Sequence, residues 1–362
     1  MGPFNLRGLT LFALYVALYC VGRFVVELLR DDTATHIAGI RINSFTSTFV
    51  FLGAVVYLIL AKKGREDPSS LGGRHDADEF DDEPELAPAY KALIARADKA
   101  LAGPVYSVVD KSRTPPSGDK RDYISMGPYW WPDPSRPNGE PYIRKDGEVN
   151  PERNTNAFDA NRMEAMAGAV EALALAFYFT GETRYATKAA QLLRVWFLDP
   201  ATRMNPAMTY AQGVPGRTLG RAEGVLDTYR LLRVIEAVGV LVPSNALTAS
   251  EQTGLEAWFG AYADWMQTAP TGKEERAAKN NHGLWYDYQL ATFALFARRP
   301  DLAREVLASV GPNRIDPEIA PDGKMPEELS RTKALHYSYF ALEPLIGMAE
   351  LGACVGVDQR ME

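Results

Sequence analysis

Residues 158–197 read FDANRMEAMAGAVEALALAFYFTGETRYATKAAQLLRVWF. On either side of TGET at 180–183 the apolar positions return at helical spacing. That pattern predicts helices over 158–179 and 184–197, with Thr183 placed to cap the second. Two helices joined by so short a turn pack antiparallel. The pattern recurs over 219–240, 249–267, 282–297, 301–309 and 328–352, interrupted by PSNA at 243–246 and RRP at 298–300. Thr248 is placed to cap the helix that contains Trp258. Strand signals are scarce after Pro88, so the fold class is all-α, built from successive helical hairpins whose number periodicity does not fix.

Upstream of these helices lies a long irregular segment, residues 110–156, containing DKRDYISMGPYWWPDPSRPNGEPYIRKDGEVNPE. A loop this long in a compact domain is usually functional. Tyr129, Trp130 and Trp131 form an aromatic cluster flanked by Lys120, Arg121 and Arg144. Flat apolar rings stack on sugars and cations attract carboxylates; equally, amphipathic rings pin a loop to its core. Before it, residues 64–88 (GREDPSSLGGRHDADEFDDEPELAP) are acidic and rich in Gly, Pro and Ser, with few apolar anchors. They read as a flexible tether, which makes 1–63, 64–88 and 89–362 the expected divisions.

The first 63 residues differ in kind. Leu9 to Leu29 and Phe45 to Ala61 are apolar runs near the roughly 20 residues that span a bilayer as a helix. Neither has the short core and cleavage site of a signal peptide, so two transmembrane helices are expected to precede the all-α domain. Lys62, Lys63 and Arg65 predict a cytoplasmic end for the second. Arg23 and Glu27, four apart inside the first run, share a face and can pair. The stretches YCVGRFVVELLRDD and GIRINSFTSTFVFLGAVVYLILAKKGREDP resemble the C-terminal end of a bacterial prolipoprotein diacylglyceryl transferase, with Arg23, Glu27 and Arg30 matching its lipid-site helix. That family's chemistry needs further helices and a histidine–arginine set upstream, so the resemblance implies membrane attachment rather than transfer.

A net charge of -7, from 39 Lys and Arg against 46 Asp and Glu, excludes the basic stripe of a nucleic-acid binder. A polyanion remains possible where a few arginines line a cleft. Two cysteines, Cys20 and Cys354, make no disulfide framework and no zinc spacing. No metal or cofactor is expected.

Chemistry-bearing residues gather in KNNHGLWYDYQ at 279–289 and ELSRTKALHYSYFALEPL at 328–345, which hold two of the four histidines. Asn280, Asn281 and His282 begin a helix, where free N–H groups and the dipole favour an anion. Asn280–His282 alone reads first as a helix cap followed by a satisfied histidine, and Tyr337 alone first as a core aromatic. Arg331 and Tyr337, six apart on one predicted helix, point in different directions unless a helix end intervenes.

In their order, GPYWWPDP, PYIRKDGEVNPE, NNHGLWYDYQ and RTKALHYSYFALEPL resemble the alginate-lyase family of α/α-toroid polysaccharide lyases, over about residues 85–355. The resemblance implies an α/α toroid, an incomplete barrel of hairpins expected to be short at its C-terminal end. It also implies β-elimination on a uronic-acid polymer such as mannuronan or a glucuronan. Asn281 and Arg331 would neutralise the C6 carboxylate. Tyr337 would be general acid, and base in syn elimination; His282 would neutralise charge or act as base in anti elimination. Substrate-binding candidates are Tyr129, Trp130, Trp131, Lys120, Arg121, Trp285, and, in the glycine-rich GVPGRTLGRAEG, Arg217 and Arg221. The family is normally periplasmic or secreted, against the cytoplasmic tether predicted above. A transferase fragment and a non-catalytic uronate binder are the alternatives.

Overall fold

A computed structural model describes residues 36, 37, 40, 41, 48 and 86–357, and the chain divides into two units, Met1–His75 and Asp76–Glu362. In the first, β1 (His36–Ile37) pairs antiparallel with β2 (Ile40–Arg41), setting His36 opposite Arg41. The two apolar runs, the Arg23–Glu27 pair and the tether up to residue 85 lie outside the described residues. Among the described residues, one helix is long and apolar enough to cross a membrane, Ala160–Thr180. Its buried face belongs to the core of the second unit.

That helix organises the first half of the domain. We label α1 Ala87–Ala102, α2 Ala160–Thr180, α3 Thr183–Leu193 and α4 Leu232–Leu241. Small residues along α2 (Ala167, Ala169, Ala172, Ala174, Ala176) let α1, α3 and α4 all pack on it. Gly181 stops it in a left-handed turn at φ 70°, a conformation that suits glycine. Thr183 does not cap α3: Glu182 holds the cap position without a side-chain bond, and Thr183 is the first helical residue.

The second half is built around α7 (Asn281–Phe296), which packs against α5 (Ala249–Thr268), α8 (Pro300–Ala308) and α11 (Ala334–Val355). Thr248 caps α5 in a reciprocal pair with Glu251. Between them lie α6 (Pro270–Arg276), α9 (Asp316–Glu318) and α10 (Pro326–Leu329). On α11, Leu335, Tyr339, Leu342 and Ile346 repeat at helical spacing and stand exposed.

Three expected helices are not single helices. Over 184–197 the chain leaves α3 at Leu193 and continues as a wider π-helix from Arg194 to Leu198. Over 219–240 the chain runs as a tighter 3-10 helix from Ala222 to Leu231 before α4 begins. Over 328–352 it stops at Leu329 and restarts at Ala334, because Arg331 and Thr332 turn aside to bond Asp146. Tertiary contacts here override a continuous helical pattern. Helices α1, α6 and α9 had no counterpart among the expected elements.

The long segment before α2 is anchored at several points. β3 (Ile124–Met126) pairs parallel with β6 (Tyr210–Gly213), and β4 (Trp130–Trp131) pairs antiparallel with β5 (Ile143–Arg144). Beneath them Lys111 Nζ meets Asp159 at 2.9 Å, both side chains fully buried. Lys111 also donates to the carbonyls of Val108 and Lys120, and Asp159 accepts from the Ile124 amide and Arg162. A buried ion pair persists when its remaining donors and acceptors are used in this way.

Candidate active site

The break between α10 and α11 resolves the six-residue spacing. Arg331 sits in the turn before α11 and Tyr337 in the helix's first turn, so the guanidinium folds back over the ring, with Cζ 3.8 Å from its centroid. The Tyr337 hydroxyl, on a side chain only 6% exposed, lies 2.5 Å from that of Tyr129, delivered by the long loop. Burial pushes the Tyr337 hydroxyl well above its ordinary pKa, and the Tyr129 hydrogen bond adds to this; the Arg331 charge pulls the other way. The result is a protonated phenol whose conjugate base has a cation waiting beside it.

Asn280 caps α7, accepting from the His282 amide at 3.1 Å. Asn281 is wholly buried, and its Nδ2 donates to both oxygens of Glu328, at 2.9 and 2.8 Å. Its backbone N–H donates to the same carboxylate at 2.6 Å. Since the Glu328 carbonyl accepts from the Arg331 amide, this glutamate joins the Asn–His segment to the Arg–Tyr segment. His282 Nδ1 lies 2.6 Å from Glu275 Oε1. Burial penalises the charged imidazole, but Glu275 outweighs it, and His282 is held above its ordinary value.

The remaining candidates separate into two groups. Arg221 reaches Gln212 and Glu223, and Gly127 lies so close to both Arg221 and Trp130 that an added Cβ would meet the indole at 2.6 Å and the Arg221 guanidinium at 3.4 Å. Its charge and that of Glu223 both act on His282. Arg217 lies over Trp130, 5.1 Å from the ring centroid, and with Arg113, Tyr142, Phe158 and Tyr210 lines a cavity of about 520 Å³. Trp131 donates to the Glu148 carbonyl and carries Lys145 over its ring.

Three candidates stand apart from these contacts. Trp285, 1% exposed, donates to the Phe340 carbonyl and packs against Tyr229, Tyr288 and Phe340, so it offers no face to a sugar. Lys120 donates to the Lys111 carbonyl, and Arg121 is bound to Asp119 and the Pro200 carbonyl. Both serve the loop's own structure.

Residues that sequence reasoning missed are Asp146, Glu275 and Glu328. Asp146 stands in a Lys-Asp-Gly-Glu turn, where aspartate is the ordinary turn residue. Glu275 and Glu328 stand among other charged residues with no local sign of burial, yet each is 2% exposed.

A helical domain with a phenol poised under an arginine and a carboxylate-bound histidine has the parts of a polysaccharide lyase. The chain belongs to the alginate lyase family, whose model matches residues 107–361. The crystal structure of an alginate lyase from Bacteroides ovatus is 46% identical, superposes with a TM-score of 0.74, and covers 76% of this chain and 73% of its own. The prolipoprotein diacylglyceryl transferase family matches residues 4–60. The phosphatidylglycerol–prolipoprotein diacylglyceryl transferase of Mycolicibacterium paratuberculosis is 81% identical over 69 residues, 19% of this chain but 16% of that protein. Its counterpart in Mycobacterium leprae (strain Br4923) is 76% identical over 68 residues, 19% of this chain and 21% of that protein. The chain thus spans about a fifth or less of these curated relatives, and the matching segment points to membrane association.

Proposed function

We propose that this lyase domain cleaves a uronic-acid polymer by β-elimination, with Tyr337 as the acid at the leaving oxygen. The observation that carries the reading is the buried Tyr337 hydroxyl, bonded to Tyr129 and lying beneath Arg331. In the step, a base removes the C5 proton, a C4–C5 double bond forms and the C4–O4 bond breaks. The Tyr337 proton passes to O4, and no water or oxidant is consumed. The phenolate left behind is stabilised by Arg331 and by the Tyr129 hydroxyl acting as donor. The raised pKa of Tyr337 suits an acid that must hold its proton until the leaving oxygen develops charge.

The C5 proton is acidic only once the C6 carboxylate is neutralised. Arg331 and His282 are the cations we assign to it. Asn281, its amide committed to Glu328, supports them by fixing the start of α7. In syn elimination Tyr337 is also the base and enters the step as the phenolate that Arg331 stabilises, taking the C5 proton and handing it to O4. In anti elimination His282 enters neutral as the base, and Arg331 alone is the cation on the carboxylate. The cavity beside Trp130, lined by Arg113 and Arg217 but also by Glu140 and Glu152, is the path we assign to the polymer, its volume within the range of about 300–1,000 Å³ usual for ligand sites.

The test is to incubate the protein with mannuronan, guluronan and glucuronan and follow the ultraviolet absorbance of the unsaturated uronate. Absorbance that rises with one of them supports the reading; none with all three refutes it. The transferase-like segment is assigned to membrane attachment, checked by whether alkaline carbonate releases the chain from membranes.

A further inference from the structure

Arg331 is asked to meet a substrate carboxylate, yet it is already paired. Its Nη2 donates to Asp146 Oδ1 at 2.8 Å and its Nε to Oδ2 at 3.2 Å. Thr332, the next residue, donates to the same carboxylate through its hydroxyl at 2.5 Å and its amide at 3.3 Å. Arg144 adds a further contact to Oδ1 at 2.8 Å. Arg331 holds the Asp146 carboxyl far below the usual range, so it stays ionised.

The chain builds this contact from the loop side. Lys145 bonds back to the Tyr129 carbonyl, and Gly147, at φ 78°, turns the chain so that Asp146 faces Thr332. A Cβ on Gly147 would sit 3.5 Å from Thr332, so the turn is closely seated on it.

A guanidinium is a planar fork with more than one donor edge. Asp146 takes the side edge, Nε with Nη2. The end edge, Nη1 with the second N–H of Nη2, has no hydrogen-bond partner among the described residues. From this geometry we infer that Asp146 is a positioning residue: it fixes the side edge of Arg331 so that the end edge is presented to the uronate C6 carboxylate while the flat face stays over Tyr337. The inference rests on the lyase reading of the same site. It makes Asp146 a partner of substrate binding despite its negative charge, because a bidentate carboxylate on one edge leaves the other edge oriented for a second.

Full-length protein purified in detergent provides the test. Binding of a mannuronate tetrasaccharide is measured by calorimetry in a Tyr337→Phe background, where turnover is suppressed, with and without Asp146→Ala or Asp146→Asn. The carboxyl-reduced, neutral tetrasaccharide is the control ligand. Losing the orientation of a charge-assisted contact to the uronate should weaken the charged ligand about 10- to 100-fold in Asp146→Ala. Binding of the neutral ligand should not change. Asp146→Asn keeps one acceptor oxygen and should lose less; it also serves if the alanine variant fails to fold. Unchanged binding overturns the inference, as does equal loss for both ligands. Tighter binding of the charged ligand also overturns it, because Asp146 would then compete with the uronate for Arg331. If wild type eliminates no uronan, the lyase reading falls while this binding comparison still decides Asp146. If wild type eliminates and Asp146→Ala binds as wild type does, only the positioning role falls.

Discussion

Tyr337→Phe separates chemistry from packing more cleanly than any other change in the site. The ring is 6% exposed and lies under the Arg331 guanidinium, and phenylalanine keeps both the volume and the cation–π contact. What is lost is one hydroxyl and its 2.5 Å bond to Tyr129. Tyr129 is half-buried, so its hydroxyl can take water instead, and the stability cost should be about 1 kcal/mol. That is a fall in Tm of about 2–4 °C for a domain of this size. The catalytic cost is of another order. Losing a positioned acid lowers turnover about 100- to 10,000-fold, or about 3–5 kcal/mol of barrier. The initial rate of ultraviolet absorbance increase on the responsive uronan measures kcat, and a thermal melt of the same sample measures folding. A variant that melts as expected yet retains near wild-type elimination would refute the assignment of Tyr337 as acid.

Three further outcomes follow from the surroundings. Glu275→Gln should lower the His282 pKa, since burial, which disfavours the charged ring, is then opposed by less negative charge; histidine NMR titration reads this directly. In the wild type a raised His282 pKa gives a stability contribution that is fully present below the ordinary value of 6.5 and lost as pH rises through the folded value, so denaturant melts across that window should lose this slope in Glu275→Gln. Gly283→Ala should destabilise by about 1–3 kcal/mol, because its Cβ would lie 2.2 Å from both the Ala278 carbonyl and Arg314 Nη1; urea unfolding measures it. Lys111→Met should cost about 3–5 kcal/mol at neutral pH by leaving Asp159 buried without its lysine. The cost should shrink in acid, because burial raises the Asp159 pKa and the carboxyl takes up a proton.

Helical spacing made the hairpin of α2 and α3 legible, and Thr248 with Glu251 made the start of α5 legible, because caps and periodicity are local properties of the chain. The start of α7 was legible for the same reason, as Asn280 is a good cap. The break at residues 330–333 was not. Its cause is Asp146, nearly two hundred residues earlier in the chain, and no window along the sequence contains both partners. Trp285 failed for a related reason: its residue type fits a sugar platform, but contact with Tyr229, from another segment, and Phe340 on α11 buries it. Lys120 and Arg121 carry the right charge, and local acceptors consume it.

The same long-range contacts explain how a loop takes part in a site that demands fixed distances. Helices α7 and α11 are rigid supports for His282 and Tyr337, joined at their starts by Glu328. Tyr129 and Asp146 come instead from an irregular segment outside the helices. That segment is held at its base by the buried Lys111–Asp159 pair and at its tip by Arg331 and Thr332 on Asp146. A fault at the base should therefore reach the chemistry through Tyr129, without any change in the residues of α7 or α11. Lys111→Met, assayed at a temperature where it remains folded, should raise KM and lower kcat together, whereas Tyr337→Phe lowers kcat with KM little changed.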